Sequence, residues 1–265
     1  MSGALGGRLA RRLEEREDVE AIFGVDIADP TVALQRTEFV HADTRQSFLT
    51  KLIRQLELDT VVHCAVLANS RAGGRAVHET NVIGTMNVLA ACSGADSPVE
   101  RLVVRSSVAI YDSQPFDPSY LVEESAGKRA PAAALARDLA ELEQLTSEFG
   151  LRQRRATVTV LRLGFQLSAG KRTPLADYLS LHRIPTFLGY DPRVQLLHPA
   201  DAVEAVYRAA VADHAGTYNV AGHGVLLLSQ AIGLTGRTRL PILPWLGPSI
   251  GRIQMLAAAG VTLPD

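Results

Sequence analysis

Hydrophobic positions along the chain alternate between two periods. Leu9 and Leu13, four apart within Gly6 to Arg16, predict a helix. The compact apolar runs at Val19 to Asp26, Glu38 to His41 and Asp59 to Ala65 have the length of buried strands. His78 to Cys92, with Val82, Met86, Val88 and Leu89 at helical spacing, and Ala132 to Phe149 predict two longer helices. Arg101 to Ser107 and Thr157 to Leu163 predict two further strands. Alternating strands and helices imply a mostly parallel sheet covered on both faces. Right-handed crossovers then make it a doubly wound α/β fold. Beyond Leu163 the clean alternation is lost, and Pro174, Pro185, Pro192 and Pro199 cut the chain into short pieces. We therefore expect a main domain over residues 1–164, and over 165–265 a smaller substrate-facing lobe interleaved with the last strands of the sheet.

Composition narrows the function classes. At 265 residues the chain can bury a sizeable core, and its net charge of -1 gives no basic excess for a phosphate backbone or an anionic membrane. No nucleic-acid or membrane partner is expected. Cys64 and Cys92 suggest neither a disulfide framework nor a zinc site, and no apolar run approaches the roughly 20 residues that span a bilayer. A cytoplasmic location is the expectation. None of the seven histidines forms a close helical pair with a carboxylate, so no metal is expected.

The chemistry-bearing pattern begins at the first residues. In Gly3-Ala4-Leu5-Gly6 a glycine-containing turn runs into a helix, an arrangement whose backbone N–H groups can hold a diphosphate. Asp26 ends the next strand about twenty residues on, where a carboxylate can accept hydrogen bonds from an adenosine ribose. A carboxylate there repels a 2′-phosphate, which favours NAD(H) over NADP(H) unless Arg36 or Arg45 reaches the ribose. With these come His41-Ala42-Asp43-Thr44, His63-Cys64-Ala65, Asn81-Val82-x-Gly84-Thr85 and Arg105-Ser106-Ser107, in that order. Together they resemble the extended short-chain dehydrogenase/reductases, the NAD-dependent epimerase/dehydratase family. Val160-Leu161-Arg162-Leu163, the segment Arg193, His198 and Asp201, and Gly216 to Val220 extend the resemblance over about residues 2 to 235. The resemblance implies a dinucleotide-binding main domain with cofactor contacts from Gly3, Leu5, Gly6, Asp26, Asp43, Thr44, Ala65, Val66, Asn81, Ser106 and Phe165. It also implies that Ser107 hydrogen-bonds a substrate oxygen, with Tyr111 four residues on as a surrogate acid or a packing residue.

Two departures from that pattern change the expectation. Met1 falls inside the phosphate loop, so the first glycine and the first, central strand of the sheet are missing from this sequence. We expect the natural chain to start upstream. The family's Tyr-x-x-x-Lys on the long helix, which supplies the phenol at the reacting carbonyl, is matched here by Leu135-Ala136-Arg137-Asp138-Leu139. Neither leucine can move a proton. An epimerase must begin by deprotonating an unactivated alcohol, whereas a ketone can be reduced if Ser107 polarises it and water, Tyr111, His63, His182 or the substrate's own hydroxyl supplies the proton. The leading expectation is therefore an NAD(H)- or NADP(H)-dependent ketoreductase acting on a small-molecule carbonyl or alcohol, an aromatic polyketide being one candidate by analogy within the family. A nucleotide-sugar epimerase or dehydratase, using Arg162, Arg172, Arg183 and Arg193 to hold its substrate, is the alternative enzyme. A cofactor-binding sensor or scaffold without turnover is the non-enzyme alternative. Leu135, Leu139, Leu142 and Leu145 suit either a homodimer face or core packing.

Overall fold

The computed structural model describes residues 4–43, 48–67, 74–114, 117–167 and 173–243. Gly3, Thr44, Arg45 and Arg172, all singled out in the sequence, lie outside them. The chain opens on helix α1 (Ala4–Glu14), followed by β1 (Ile22–Asp26), β2 (Thr37–His41), α2 (Phe48–Gln55) and β3 (Thr60–His63). A continuous helical stretch comes next: α3 (Gly74–His78), one π-turn (Glu79–Ile83) and α4 (Gly84–Ala91). Then follow β4 (Arg101–Ser107), the long α5 (Ala134–Arg152) and β5 (Thr157–Leu163). Both strands have the bounds expected from the sequence. The last part contains β6 (Phe165–Gln166), α6 (Pro174–Leu179), β7 (Arg183–Phe187), β8 (Arg193–Val194), β9 (Leu196–Leu197) and α7 (Pro199–Val211). It ends with β10 (Gly216–Val220), β11 (Leu226–Leu227), α8 (Leu228–Leu234) and β12 (Thr238–Ile242).

Four strands form the central parallel sheet, in the order β10-β5-β4-β3. Strands β1 and β2 form a separate parallel pair, with Asp26 beside His41 at its carboxyl end. The edges of β1 and β3 do not pair with each other, and a cavity lined by residues 22–26 of one and 58–64 of the other lies between them. The parallel strands thus fall into two groups with this cavity between them. Helix α1 bridges the split. Leu9 packs with Val103, Leu161 and Val206 on the four-stranded side. Glu14, at the end of α1, accepts the backbone N–H groups of Gln35, Arg36 and Thr37 and the Thr37 hydroxyl, which fixes the entry to β2.

Two layers cover the four-stranded sheet. Leu102 and Val104 face α4 and α5, where Leu139 and Leu142 are fully buried. Burying each such leucine is worth about 1.5 to 3 kcal/mol. That explains why α5 holds its place although its first turn carries no side-chain cap. Val103 and Leu161 point the other way, towards α1 and α7. The smaller lobe has its own core of Leu175, Tyr178, Ile184, Leu228 and Ile232, built on α6, α8 and two-stranded pieces. Strand β10 then returns to pair with β5. Among the described residues no helix is long and apolar enough to cross a membrane.

Where β10 leaves the sheet, Gly222 passes so close to β9 that an added Cβ would lie 2.4 Å from the Leu196 carbonyl oxygen. The Gly222 N–H donates to that same oxygen at 2.9 Å. Gly222→Ala is therefore expected to cost about 1 to 3 kcal/mol and lower the thermal midpoint by several degrees. Gly74→Ala, where nothing lies within 4 Å, should change stability by less than about 0.5 kcal/mol. Differential scanning calorimetry of the two variants checks the comparison.

Candidate cofactor and substrate site

Parallel strands deliver their carboxyl ends to one edge of the sheet, and at that edge a cavity of about 1130 Å³ opens. It extends into the split between β1 and β3. Leu5, Gly6, Asp26, Asp43, Ala65, Val66, Ser107 and Phe165 all line it. Residues drawn from six separated stretches of sequence are thus brought to one site, and Gly3 and Thr44 lie outside the described residues. One detail is corrected: Leu5 and Gly6 are not a turn preceding a helix but belong to the first turn of α1, which already begins at Ala4.

Three expected contacts stand elsewhere. Ser106 points to the opposite face from Ser107, as successive strand residues must. It is fully buried and donates to Glu143 Oε1 at 2.6 Å, away from the cavity. Asn81, in the π-turn, does not line the cavity either. Its amide accepts the Leu67 N–H at 2.8 Å and donates to the Leu67 carbonyl at 3.3 Å, which pins the segment after β3 against the helix. Tyr111 donates to Asn219 Oδ1 at 2.6 Å and accepts from Arg162 at 3.0 Å, so its phenol is a structural link rather than a free acid.

Ser107 is buried at the cavity wall, and its Oγ accepts the Ala109 N–H at 3.2 Å. It caps the short 3-10 turn of Val108–Tyr111. That bond uses an oxygen lone pair, and the hydroxyl proton meets no acceptor among the described residues. Leu139 is fully buried and Leu135 partly so, both packed in the apolar layer under α5. No proton donor stands at either position.

Of the two histidines expected as proton sources, His63 lines the cavity and His182 does not. His63 is buried, with Nε2 3.0 Å from the Thr85 hydroxyl. Burial, with a smaller contribution from the Arg105 charge, lowers its pKa to about 4. It is neutral near pH 7. His182 is exposed in the turn between α6 and β7. His198 caps α7 by accepting the Ala200 N–H at 3.2 Å.

A polar group that the sequence reading missed lies directly beneath the site. Arg162 of β5 and Glu143 of α5 form a buried ion pair at 2.7 Å, which Ser106 completes on the Glu143 side. Arg162 also donates to the Glu123 carbonyl at 2.8 Å, and Glu123 Oε1 accepts the Asn219 N–H at 2.7 Å. Helix α5, strands β4, β5 and β10, and the segment before α5 are joined through this one cluster. Of the arginines expected to hold a nucleotide sugar, Arg162 is thereby committed to structure, while Arg183 and Arg193 stand exposed on the lobe. Arg36 donates to the carbonyls of Glu14, Arg16 and Val19 at the amino end of β2, the far end from Asp26. It does not reach the ribose side of the site.

The family model of the NAD dependent epimerase/dehydratase family matches residues 1–221, and the chain belongs to that family. An uncharacterized protein of Mycobacterium tuberculosis is 39% identical over 244 residues, covering 90% of this chain and 65% of the relative. The chain thus spans about two thirds of the length of the curated relatives it matches. The dTDP-glucose 4,6-dehydratase DesIV of Streptomyces venezuelae, solved with NAD bound, superposes with a TM-score of 0.74 at 20% identity, covering 91% of this chain and 82% of that one. The UDP-glucose 4-epimerase of Thermotoga maritima, solved with UDP-glucose, gives 0.73 at 16% identity, covering 91% and 83%. These likenesses show a shared Rossmann-type fold.

Two outcomes follow from the buried groups. Between pH 6.5 and 4 the unfolded chain takes up a proton that folded His63 refuses, so stability falls as pH drops through this window, by up to ~3 kcal/mol. His63→Leu should flatten that part of the stability–pH curve, measured by urea melts at pH 7, 5.5 and 4.5. Glu143→Ala leaves the Arg162 guanidinium buried without its partner, and a loss of about 3 to 5 kcal/mol is expected in the same melts.

Proposed function

We propose that this chain is an NAD(H)-dependent oxidoreductase acting on a hydroxyl or carbonyl carbon of a nucleotide-linked sugar. The observation that carries the reading is the single cavity onto which the start of α1, Asp26, Asp43, Val66, Phe165 and Ser107 converge. The residues present fit a dinucleotide. Leu5 and Gly6 offer helix N–H groups for its diphosphate, Asp26 offers a carboxylate at the carboxyl end of β1 for its ribose, and Val66 and Phe165 offer apolar surface for its rings. The diversion of Arg36 to backbone carbonyls removes one of the two cations that would favour a 2′-phosphate, which supports NAD(H) over NADP(H).

When bound, the nicotinamide supplies the hydride donor or acceptor. This chain's own contribution is positioning and polarisation. Ser107 donates its uncommitted proton to the substrate oxygen, and Asn81 holds the Val66–Leu67 wall of the cavity. Family membership and the sugar-nucleotide enzymes among the structural neighbours support the epimerase/dehydratase chemistry over the ketoreductase expected from sequence. The ketoreductase remains the second reading for one reason: Leu135 and Leu139 provide no base. Losing general acid–base catalysis costs roughly 10² to 10⁴ in rate. An activated ketone tolerates that loss better than a sugar alcohol does.

Calorimetric titration with NADH and NADPH, followed by turnover panels, tests the proposal. NADH is expected to bind more tightly than NADPH, and Asp26→Asn to weaken NADH at least about tenfold through loss of a charged acceptor. Turnover of UDP- or dTDP-hexoses with Ser107-dependent rates supports the main reading. Turnover of ketones alone establishes the ketoreductase. Cofactor binding with no turnover on either panel leaves a sensor, and absence of dinucleotide binding overturns the proposal.

A further inference from the structure

Strand β4 carries a cation into the cavity wall that no carboxylate meets. Arg105 lies two residues before Ser107, on the same face of the strand, and lines the same cavity. Its Nη1 donates to the Val66 carbonyl at 2.9 Å and reaches the Cys64 carbonyl at 3.5 Å. Its Nε is fully buried and has no acceptor. Among the described residues no carboxylate pairs with it, and burial pushes its pKa below the ordinary arginine value. An arginine nevertheless keeps its charge in a protein. The chain therefore holds a half-buried positive charge at a desolvation cost, with two backbone carbonyls as its acceptors among the described residues.

Helix α1 opens onto the same cavity, where Leu5 and Gly6 line it. It is 11 residues long and has no acidic residue in its first turn. Among the described residues no acidic side chain of that turn offsets the positive end of its dipole. Two independent features, a half-buried guanidinium with an unfilled donor and a helix whose first turn carries no acidic residue, thus favour an anion in one cavity.

We propose that Arg105 is a diphosphate-binding residue, its guanidinium donating to phosphate oxygens in the cavity it lines. The ligand class is a nucleoside diphosphate ester. Both the dinucleotide and the nucleotide sugar of the function proposed above contain that group, and the assignment rests on that reading.

The test compares the parent chain with Arg105→Gln and Arg105→Lys by titration calorimetry, after circular dichroism shows all three folded. The probes are NADH, UDP-glucose, inorganic pyrophosphate and, as the phosphate-free control, adenosine. Arg105→Gln is expected to weaken the diphosphate ligands ten- to hundredfold and leave adenosine unchanged. Arg105→Lys should recover part of the loss, since it restores the charge but not the planar fork. Loss on the NADH arm places Arg105 at the cofactor, and loss confined to UDP-glucose places it at the substrate. If pyrophosphate binding depends on Arg105 while NADH does not bind the parent chain, the cofactor reading fails and the Arg105 assignment stands. Affinities within twofold of the parent for every diphosphate probe, no diphosphate binding by the parent, or an equal loss for adenosine overturns it. Should Arg105→Gln fail to fold, the Lys variant decides alone, an unchanged affinity counting against the proposal.

Discussion

The buried pair of Glu143 and Arg162 is the contact around which the site is organised. A carboxylate from α5 and a guanidinium from β5 are stable inside the protein only because each is met by several partners at once. Those partners are Ser106 on β4, Tyr111 just beyond it, and the Glu123 carbonyl in the segment leading to α5. The requirement to satisfy two buried charges fixes how the layers sit relative to one another. It therefore also fixes the face on which Ser107 emerges. Arg105 and Ser107 reach the cavity because Ser106, between them, is held on the opposite side.

Much of this arrangement is legible in the sequence, for identifiable reasons. Strands β4 and β5 are short, strongly apolar and bounded by polar residues, and their ends coincide with the expected ones. At β1 the apolar run begins at Val19 but strand pairing begins only at Ile22, because Arg36 holds the Val19 carbonyl and leaves it outside the ladder. The helix expected from His78 starts at Gly74 and contains a π-turn, which no hydrophobic period reveals. The extra backbone residue of that turn accommodates Asn81 facing the loop after β3.

Site residues were legible where they belong to a local motif and obscure where their role depends on a distant partner. Asp26, Ala65 and Ser107 sit at strand ends, which spacing alone can locate. Ser106 is adjacent to Ser107, and only the pleat decides which of the two faces the cavity. Arg162, expected from sequence as one of four arginines that could hold a nucleotide sugar, is instead paired with Glu143, nineteen residues away along the chain. Arg105 appeared only as the first residue of Arg105-Ser106-Ser107, with no role of its own. Its signal was a charge directly after the apolar run Leu102-Val103-Val104, inside a strand where a globular sheet tolerates few.

Strand order has a consequence for how this molecule assembles. The outermost strand of the four-stranded sheet, β10, follows the first part of the smaller lobe (α6 to β9) and α7, while α8 and β12 of the lobe come after it, and it brings Asn219 to close the polar cluster through Tyr111. Completing the carboxyl edge of the sheet thus depends on contacts between segments more than a hundred residues apart, as from Tyr111 to Asn219. Such long-range closure is entropically slow and couples the two parts into one folding event. The lobe is therefore not an accessory that can be exchanged at will. Its correct folding is a condition for ordering the edge of the sheet on which Ser107 stands.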